Sequence, residues 1–130
     1  MTVYLDATAL VKLVAPEDET VSLAAILAQH PSQATSVIAL VEVRRAAARR
    51  PGVAAERVED VLGRISAIGL DRTTASAAGA IGPPALQTLD AIHLASAAAL
   101  GDDLEAFVTY DRRLADAARV LGMLDVAPGA

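Results

Sequence analysis

Apolar residues follow two patterns along this chain, and their alternation is the first clue to the fold. Short apolar runs, such as Val3 to Leu5 and Ala106 to Tyr110, read as strands. Between them lie longer segments whose apolar residues return every three or four positions, the spacing of one helix face.

From the start, the reading is strand, acid, helix: Val3 to Leu5, then Asp6, then the helix formers Ala7 to Val14, stopped by Pro16. Glu17-Asp18-Glu19 opens a second helix through Ala28, with Val21, Leu23, Ala24 and Leu27 spaced for a buried face and the acids at the positive end of the helix dipole. Pro31 to Ala34 is a loop and Thr35 to Val37 a short strand. A helix then runs from Ile38 to Arg50 and is ended by Pro51-Gly52. Ala54 to Ile68 is the clearest amphipathic helix. Val58, Val61, Leu62, Ile65 and Ile68 lie on one side and Glu56, Arg57, Glu59, Asp60 and Arg64 on the other. Gly69-Leu70-Asp71 reads as a short strand, Thr73 to Ile81 as a helix and Gly82-Pro83-Pro84 as a breaker. Leu89 to Leu100 is a mostly apolar helix stopped by Gly101. Ala106 to Tyr110 is a strand, Asp111 to Leu121 a helix and Leu124 to Ala127 a last edge strand.

Short strands separated by helices predict an α/β class with three layers, α/β/α, around a central, mainly parallel sheet. Ligands of such sheets bind beyond the carboxyl ends of the strands, where Asp6 and Asp111 both stand. At 130 residues the chain suits one domain, residues 1–130. With 30 alanines and only 2% aromatic residues, its core must rest on aliphatic side chains and close helix contacts, which weighs against an all-β fold.

The absence of cysteine excludes a disulfide framework and thiolate metal sites. The first residues lack the pattern of a signal peptide, and uncharged stretches such as Thr73 to Leu89 are broken by Gly, Pro and polar residues, so a soluble, cytoplasmic protein with no membrane partner is expected. The net charge of −5 argues against simple electrostatic capture of nucleic acid. All the basic residues but Lys12 are arginine, however, and Arg44-Arg45, Arg49-Arg50 and Arg112-Arg113 form clusters. Arginine grips phosphate as a fork, so Arg44, Arg45, Arg112 and Arg113 are candidate phosphate contacts, with solvated helix faces as the alternative.

Most of the 16 acids have simple structural explanations, Glu17-Asp18-Glu19 as first-turn residues among them. Asp6, Glu42, Asp90 and Asp111 are different, because each is set in apolar surroundings. A buried carboxylate needs a cation or a donor to meet it. Each aspartate could be a helix cap or first-turn acid, and Glu42 could pair with Arg45 or Arg49 on a neighbouring turn. Taken together, two acids at strand ends and two on helices could converge on one hard cation, Mg²⁺ or Mn²⁺, which prefers carboxylate oxygens.

Four segments then carry a resemblance spanning nearly the whole chain: Tyr4 to Leu13 (YLDATALVKL), Ala39 to Arg45 (ALVEVRR), Leu89 to Ala95 (LDAIHLA) and Phe107 to Leu114 (FVTYDRRL). In order and separation they are similar to the motifs of PIN-domain ribonucleases, specifically the VapC toxins of bacterial toxin–antitoxin pairs. The resemblance implies a Mg²⁺- or Mn²⁺-dependent endoribonuclease, commonly a homodimer, held inactive by a cognate VapB antitoxin in a larger assembly. It makes Asp6, Glu42, Asp90 and Asp111 the catalytic, metal-holding quartet. Thr8 matches a hydroxyl residue two positions after the first acid, and Thr109 one shortly before the last, both candidates to support the metal-holding acids. Ala7 stands where many relatives carry a hydroxyl residue, a departure that does not touch the acids. Asp116 is expected to be exposed. His93 is read as a structural helix residue and His30 as a loop residue, neither with a histidine partner at ligand spacing.

A phosphorelay or aspartate-nucleophile domain would need a lysine late in the chain to hold phosphate, and Lys12 is the only lysine. A catalytically inactive PIN-like binding or assembly module is the other alternative, which loss of one of the four acids would favour. All four are present. Two divalent ions would move the net charge from −5 to about −1, leaving the arginines dominant near the cleft. The lack of tryptophan limits base stacking as a source of RNA specificity.

Overall fold

The computed structural model describes residues 1–130 and alternates strands with helices throughout. In chain order the elements are β1 (Thr2–Leu5), α1 (Ala7–Val14), α2 (Thr20–Ala28), β2 (Gln33–Ser36), α3 (Val37–Ala48), α4 (Ala55–Gly63) and β3 (Ser66–Ile68). They continue with α5 (Arg72–Ala80), α6 (Thr88–Ala98), a 3-10 turn at Gly101–Asp103, β4 (Leu104–Val108), α7 (Arg112–Val120) and β5 (Asp125–Val126). The strands form one sheet in the order β3-β2-β1-β4-β5, and every pairing is parallel. The architecture is the three-layer α/β/α fold expected from the sequence.

The central strand β1 is buried along its whole length, as a strand covered on both faces must be. Its side chains alternate between two cores. Val3 and Leu5 join Ala9, Leu10, Leu23, Val43, Val58 and Val61, the layer of α1 to α4. Tyr4 points the other way, into Leu94, Phe107, Leu114 and Ala118, beneath α6 and α7. Tyr4 and Phe107 are register partners and their rings stack at 5.2 Å, so two of the three aromatic residues of the chain lie together at its centre.

Several boundaries differ from those predicted. The helix expected over 54–68 ends at Gly63, and Ser66–Ile68 pairs with Ala34–Ser36 as the edge strand β3. Helical spacing holds through Ile68, but Gly63 is a poor helix former, and Ser66 and Ala67 are exposed with nothing to pack against as helix. Pairing with β2 satisfies their backbone instead. Gly69-Leu70-Asp71 is therefore not a strand: Asp71 caps α5, accepting a hydrogen bond from the Thr74 backbone N–H at 2.8 Å. β2 starts at Gln33, inside the expected loop, and Ser36 caps α3. β4 lies two residues before its predicted range, which frees Thr109 and Tyr110 from the strand.

The Glu17-Asp18-Glu19 run precedes the first turn of α2 rather than forming it. Lys12, nearly buried, binds the Glu17 and Glu19 carboxylates, Glu17 also takes Arg50 at 2.7 Å, and Lys12 sits 4.6 Å over the Tyr110 ring. Burial works against the Lys12 charge, but the two glutamates outweigh it and hold its pKa above the ordinary value. The hydrogen bonds from Lys12 and Arg50 hold Glu17 below the usual carboxylate range. A depressed carboxylate contributes stability above its unfolded pKa and loses it as pH falls through the folded value. Glu17→Gln should thus destabilise the protein by about 1 kcal/mol at neutral pH. Urea denaturation should show the gap from the parent closing below the ordinary glutamate pKa; an equal gap at pH 7 and pH 3 would refute the ion-pair account.

Candidate active site

The chain order β1, β2, β3 runs outward to one side of β1 and β4, β5 to the other, so the topology switches direction between β1 and β4. A crevice opens beyond the carboxyl ends of two strands at such a point. Asp6 follows β1 directly, and its backbone N–H donates to the Val108 carbonyl at the end of β4 at 3.1 Å.

Asp6 is 2% exposed and caps α1. Its Oδ1 accepts from the Ala9 backbone N–H at 3.0 Å and from the Thr8 hydroxyl at 2.6 Å, and its Oδ2 accepts from the Thr109 hydroxyl at 2.6 Å. Burial raises its pKa, against the opposing pull of Thr109, Thr8 and the Ala9 N–H. The Thr8 hydroxyl also ties the two strand ends together, accepting from the Tyr110 N–H at 3.0 Å, and Thr109 Oγ1 accepts from the Asp111 N–H of its own segment at 3.1 Å. Asp111 caps α7, accepting from the backbone N–H groups of Arg113 at 2.9 Å and Leu114 at 3.3 Å. Capping and membership of an acid cluster are not alternatives here: the cap is what holds each carboxylate at the strand end.

Asp90 stands in the first turn of α6, half-buried. Its pKa is raised, first by burial and then by the charge of Asp111, with Asp6 and Glu42 adding to the rise. The four acids therefore share one electrostatic neighbourhood. No three acid or histidine side chains converge as a finished metal cage. The donors are nonetheless all carboxylate or hydroxyl oxygens, the chemistry of a hard divalent cation rather than of zinc or copper.

Glu42, in the middle of α3, meets neither Arg45 nor Arg49, the partners its helix position suggested. Its Oε1 lies 2.7 Å from His93 Nε2, and the other ring nitrogen of His93 lies 2.7 Å from the Tyr4 hydroxyl. His93 lies on a helix, as its sequence reading had it, but that reading missed this contact. No local signal in the sequence marks it, because the two residues are 51 positions apart on different helices.

The arginines divide. Arg44 turns away and forms a two-point pair with Glu59, at 3.0 and 2.8 Å. Arg45 and Arg49 instead line a groove of about 730 Å³ that also takes in Thr8, Val11, Ile38 and Glu42. Arg112 and Arg113 are exposed at the start of α7, next to Asp111. Asp116 is exposed and pairs with Arg119 at 3.4 Å, and His30 lies 3.1 Å from Glu105. No helix is long and apolar enough to cross a membrane.

Comparison with known proteins gives the same direction. The model of the PIN domain family matches residues 3–120. The chain is 40% identical to Ribonuclease VapC47 of Mycobacterium tuberculosis (strain CDC 1551 / Oshkosh), over 98% of each chain. It is 39% identical to Ribonuclease VapC46 of Mycobacterium tuberculosis (strain ATCC 25618 / H37Rv), over 97% of each. With Ribonuclease VapC35 of the same organism the identity is 40%, over 98% of this chain and 97% of that one.

Proposed function

The chain belongs to the PIN-domain family and within it to the VapC ribonucleases, and on that premise we propose that it is a toxin endoribonuclease hydrolysing RNA phosphodiester bonds with Mg²⁺ or Mn²⁺. The observation that carries the reading is the placement of Asp6 and Asp111 just after the neighbouring strands β1 and β4 at the switch point of the sheet, with Asp90 within reach of their charges. Carboxylates gathered against their own repulsion, one of them almost fully buried, are expected where a cation is to be bound.

Asp6, Glu42, Asp90 and Asp111 would hold the ion. When bound, a divalent cation makes water a better nucleophile and takes up charge on the reacting phosphate. The protein's part is positional. Thr8 and Thr109 fix both oxygens of Asp6, the helix caps fix Asp6 and Asp111, and Arg45 and Arg49 offer forked donors to phosphates lying along the groove beside Glu42. Arg112 and Arg113 can do the same from the α7 side, whereas Arg44 would first have to leave Glu59. A pulse of expression in the cytoplasm without antitoxin, followed by sequencing of RNA ends, tests the activity: new ends at defined positions are expected, and their absence would refute it.

The partner in this reading is a VapB-type antitoxin, the enzyme itself being a homodimer that joins it in a larger assembly. The unmetallated acids concentrate negative charge in the cleft, so an antitoxin tail carrying arginine or another cation would compete with Mg²⁺ for them. Raising Mg²⁺ should weaken the complex measured by calorimetry, and deleting the tail should abolish inhibition. Inhibition that survives the deletion rejects occupation of the cleft.

A further inference from the structure

A Glu42 that holds a metal ion must itself be held in place. Its side chain has three rotatable bonds and projects from α3 into a groove, where a free carboxylate would sample many rotamers. It makes no ion pair with any arginine, and its one hydrogen bond goes to His93.

Behind that bond stands a rigid line of contacts. The His93 ring is 2% exposed and packs edge-on against Tyr4, with centroids 5.9 Å apart and planes at 78°. Tyr4 is fully buried and stacks on Phe107. The line crosses the molecule, because Tyr4 belongs to the core beneath α6 and α7 while α3 packs its Ala39 and Val43 into the opposite core.

From this arrangement we infer that His93, oriented by Tyr4, is the positioning residue for the Glu42 carboxylate. The inference rests on Glu42 being part of the metal-holding set. A carboxylate only accepts, so His93 Nε2 carries the hydrogen and donates it to Glu42 Oε1. Nδ1 then accepts from the Tyr4 hydroxyl, 2.7 Å away. One oxygen of Glu42 is thereby held, while Oε2, without a hydrogen-bond partner in the protein, remains for a cation. Partners that orient a ligand in this way contribute about 10- to 100-fold in metal affinity or activity. Neither Tyr4 nor His93 touches the substrate in this scheme.

The test combines metal-free ¹⁵N NMR of His93 with Mn²⁺ affinity measured by EPR. The spectrum should show the hydrogen on Nε2. His93→Leu, which keeps bulk without a donor, should weaken Mn²⁺ binding about 10- to 100-fold with its thermal melt retained, and His93→Gln, which restores an N–H donor, should recover most of it. Tyr4→Phe should lose several-fold. In a Glu42→Gln background, His93→Leu should cause no further loss, since its effect passes through Glu42. Hydrogen on Nδ1 alone overturns the proposal. So does wild-type Mn²⁺ affinity in His93→Leu while Glu42→Gln binds weakly, an outcome that leaves the metal site standing. If Glu42→Gln itself binds Mn²⁺ as the parent does, the metal role of Glu42 fails and the positioning role falls with it. Should His93→Leu not fold, the comparison of parent, His93→Gln and Tyr4→Phe still decides: unchanged affinity in Tyr4→Phe with hydrogen on Nδ1 refutes the line of contacts.

Discussion

The Asp90→Asn protein is expected to fold and to have lost RNA cleavage by on the order of a thousandfold, which corresponds to about 4 kcal/mol of transition-state stabilisation. It removes one of four acids, and the one whose electrostatics report all the others. Its stability should move in the opposite direction from its activity. Burial and the charges of Asp111, Asp6 and Glu42 raise the Asp90 pKa, so the ionised form is disfavoured in the folded state. Stability from a raised carboxylate is present below its unfolded pKa and lost as pH rises through the folded value. At neutral pH without metal, an uncharged amide should thus melt at or above the temperature of the parent. Asp6→Asn should behave alike, because the Thr109 hydroxyl can rotate to accept from the new amide. Asp116→Asn, on an exposed pair with Arg119, should change neither quantity much. Calorimetric melts in EDTA beside cleavage assays in Mg²⁺ check all three variants; undiminished cleavage by Asp90→Asn would remove the quartet from the chemistry.

How far this site could be read from the sequence depended on which residues carry their own context. Asp6 and Asp111 were readable because a short apolar run, an acid and then helix formers place an acid at a strand's carboxyl end whatever the details of packing. Asp90 and Glu42 stood out by polarity alone, as acids within apolar helices. The partner of Glu42 was not readable, since Arg45 and Arg49 are near in sequence while His93, 51 residues away, meets it only once α6 has docked beside β2. The strand β3 was hidden for a related reason. The apolar residues of 58–68 fit one helical face, and the stop at Gly63 becomes decisive only when the edge of β2 offers Ser66–Ile68 hydrogen bonds. The acids of 17–19 misled in a different way. They look like first-turn residues, but a nearly buried Lys12 draws Glu17 and Glu19 to itself, an event between elements that local charge pattern cannot register. What was misplaced in each case was a contact between separate elements, and what was placed well was a local pattern of period two or 3.6.

Removing divalent cations should stop the reaction altogether, and Mg²⁺ or Mn²⁺ should restore it. This expectation follows from the two histidines as much as from the acids. A ribonuclease working without metal commonly makes the RNA 2′-hydroxyl its nucleophile and needs one group to take a proton and another to give one, most often histidines free to reach the substrate. Neither histidine here is so placed. His93 is buried with both ring nitrogens engaged, by Tyr4 and by Glu42, and His30 pairs with Glu105 near the opposite, amino-terminal end of the strands. The carboxylates face one another's charge in the absence of a cation, which suits them to receive one rather than to act as an acid–base pair on the sugar. If water is the nucleophile, the 2′-hydroxyl has no covalent role. The products should then carry 5′-phosphate and 3′-hydroxyl ends, and a substrate with a single 2′-deoxy residue at the cleavage position should still be cut. End-group analysis on parent and Asp90→Asn protein, with and without EDTA, separates the two chemistries. Products ending in 2′,3′-cyclic phosphate, formed in EDTA by parent protein but not by the Asp90→Asn variant, would mean that the acids act on the 2′-hydroxyl directly and that the cation is dispensable.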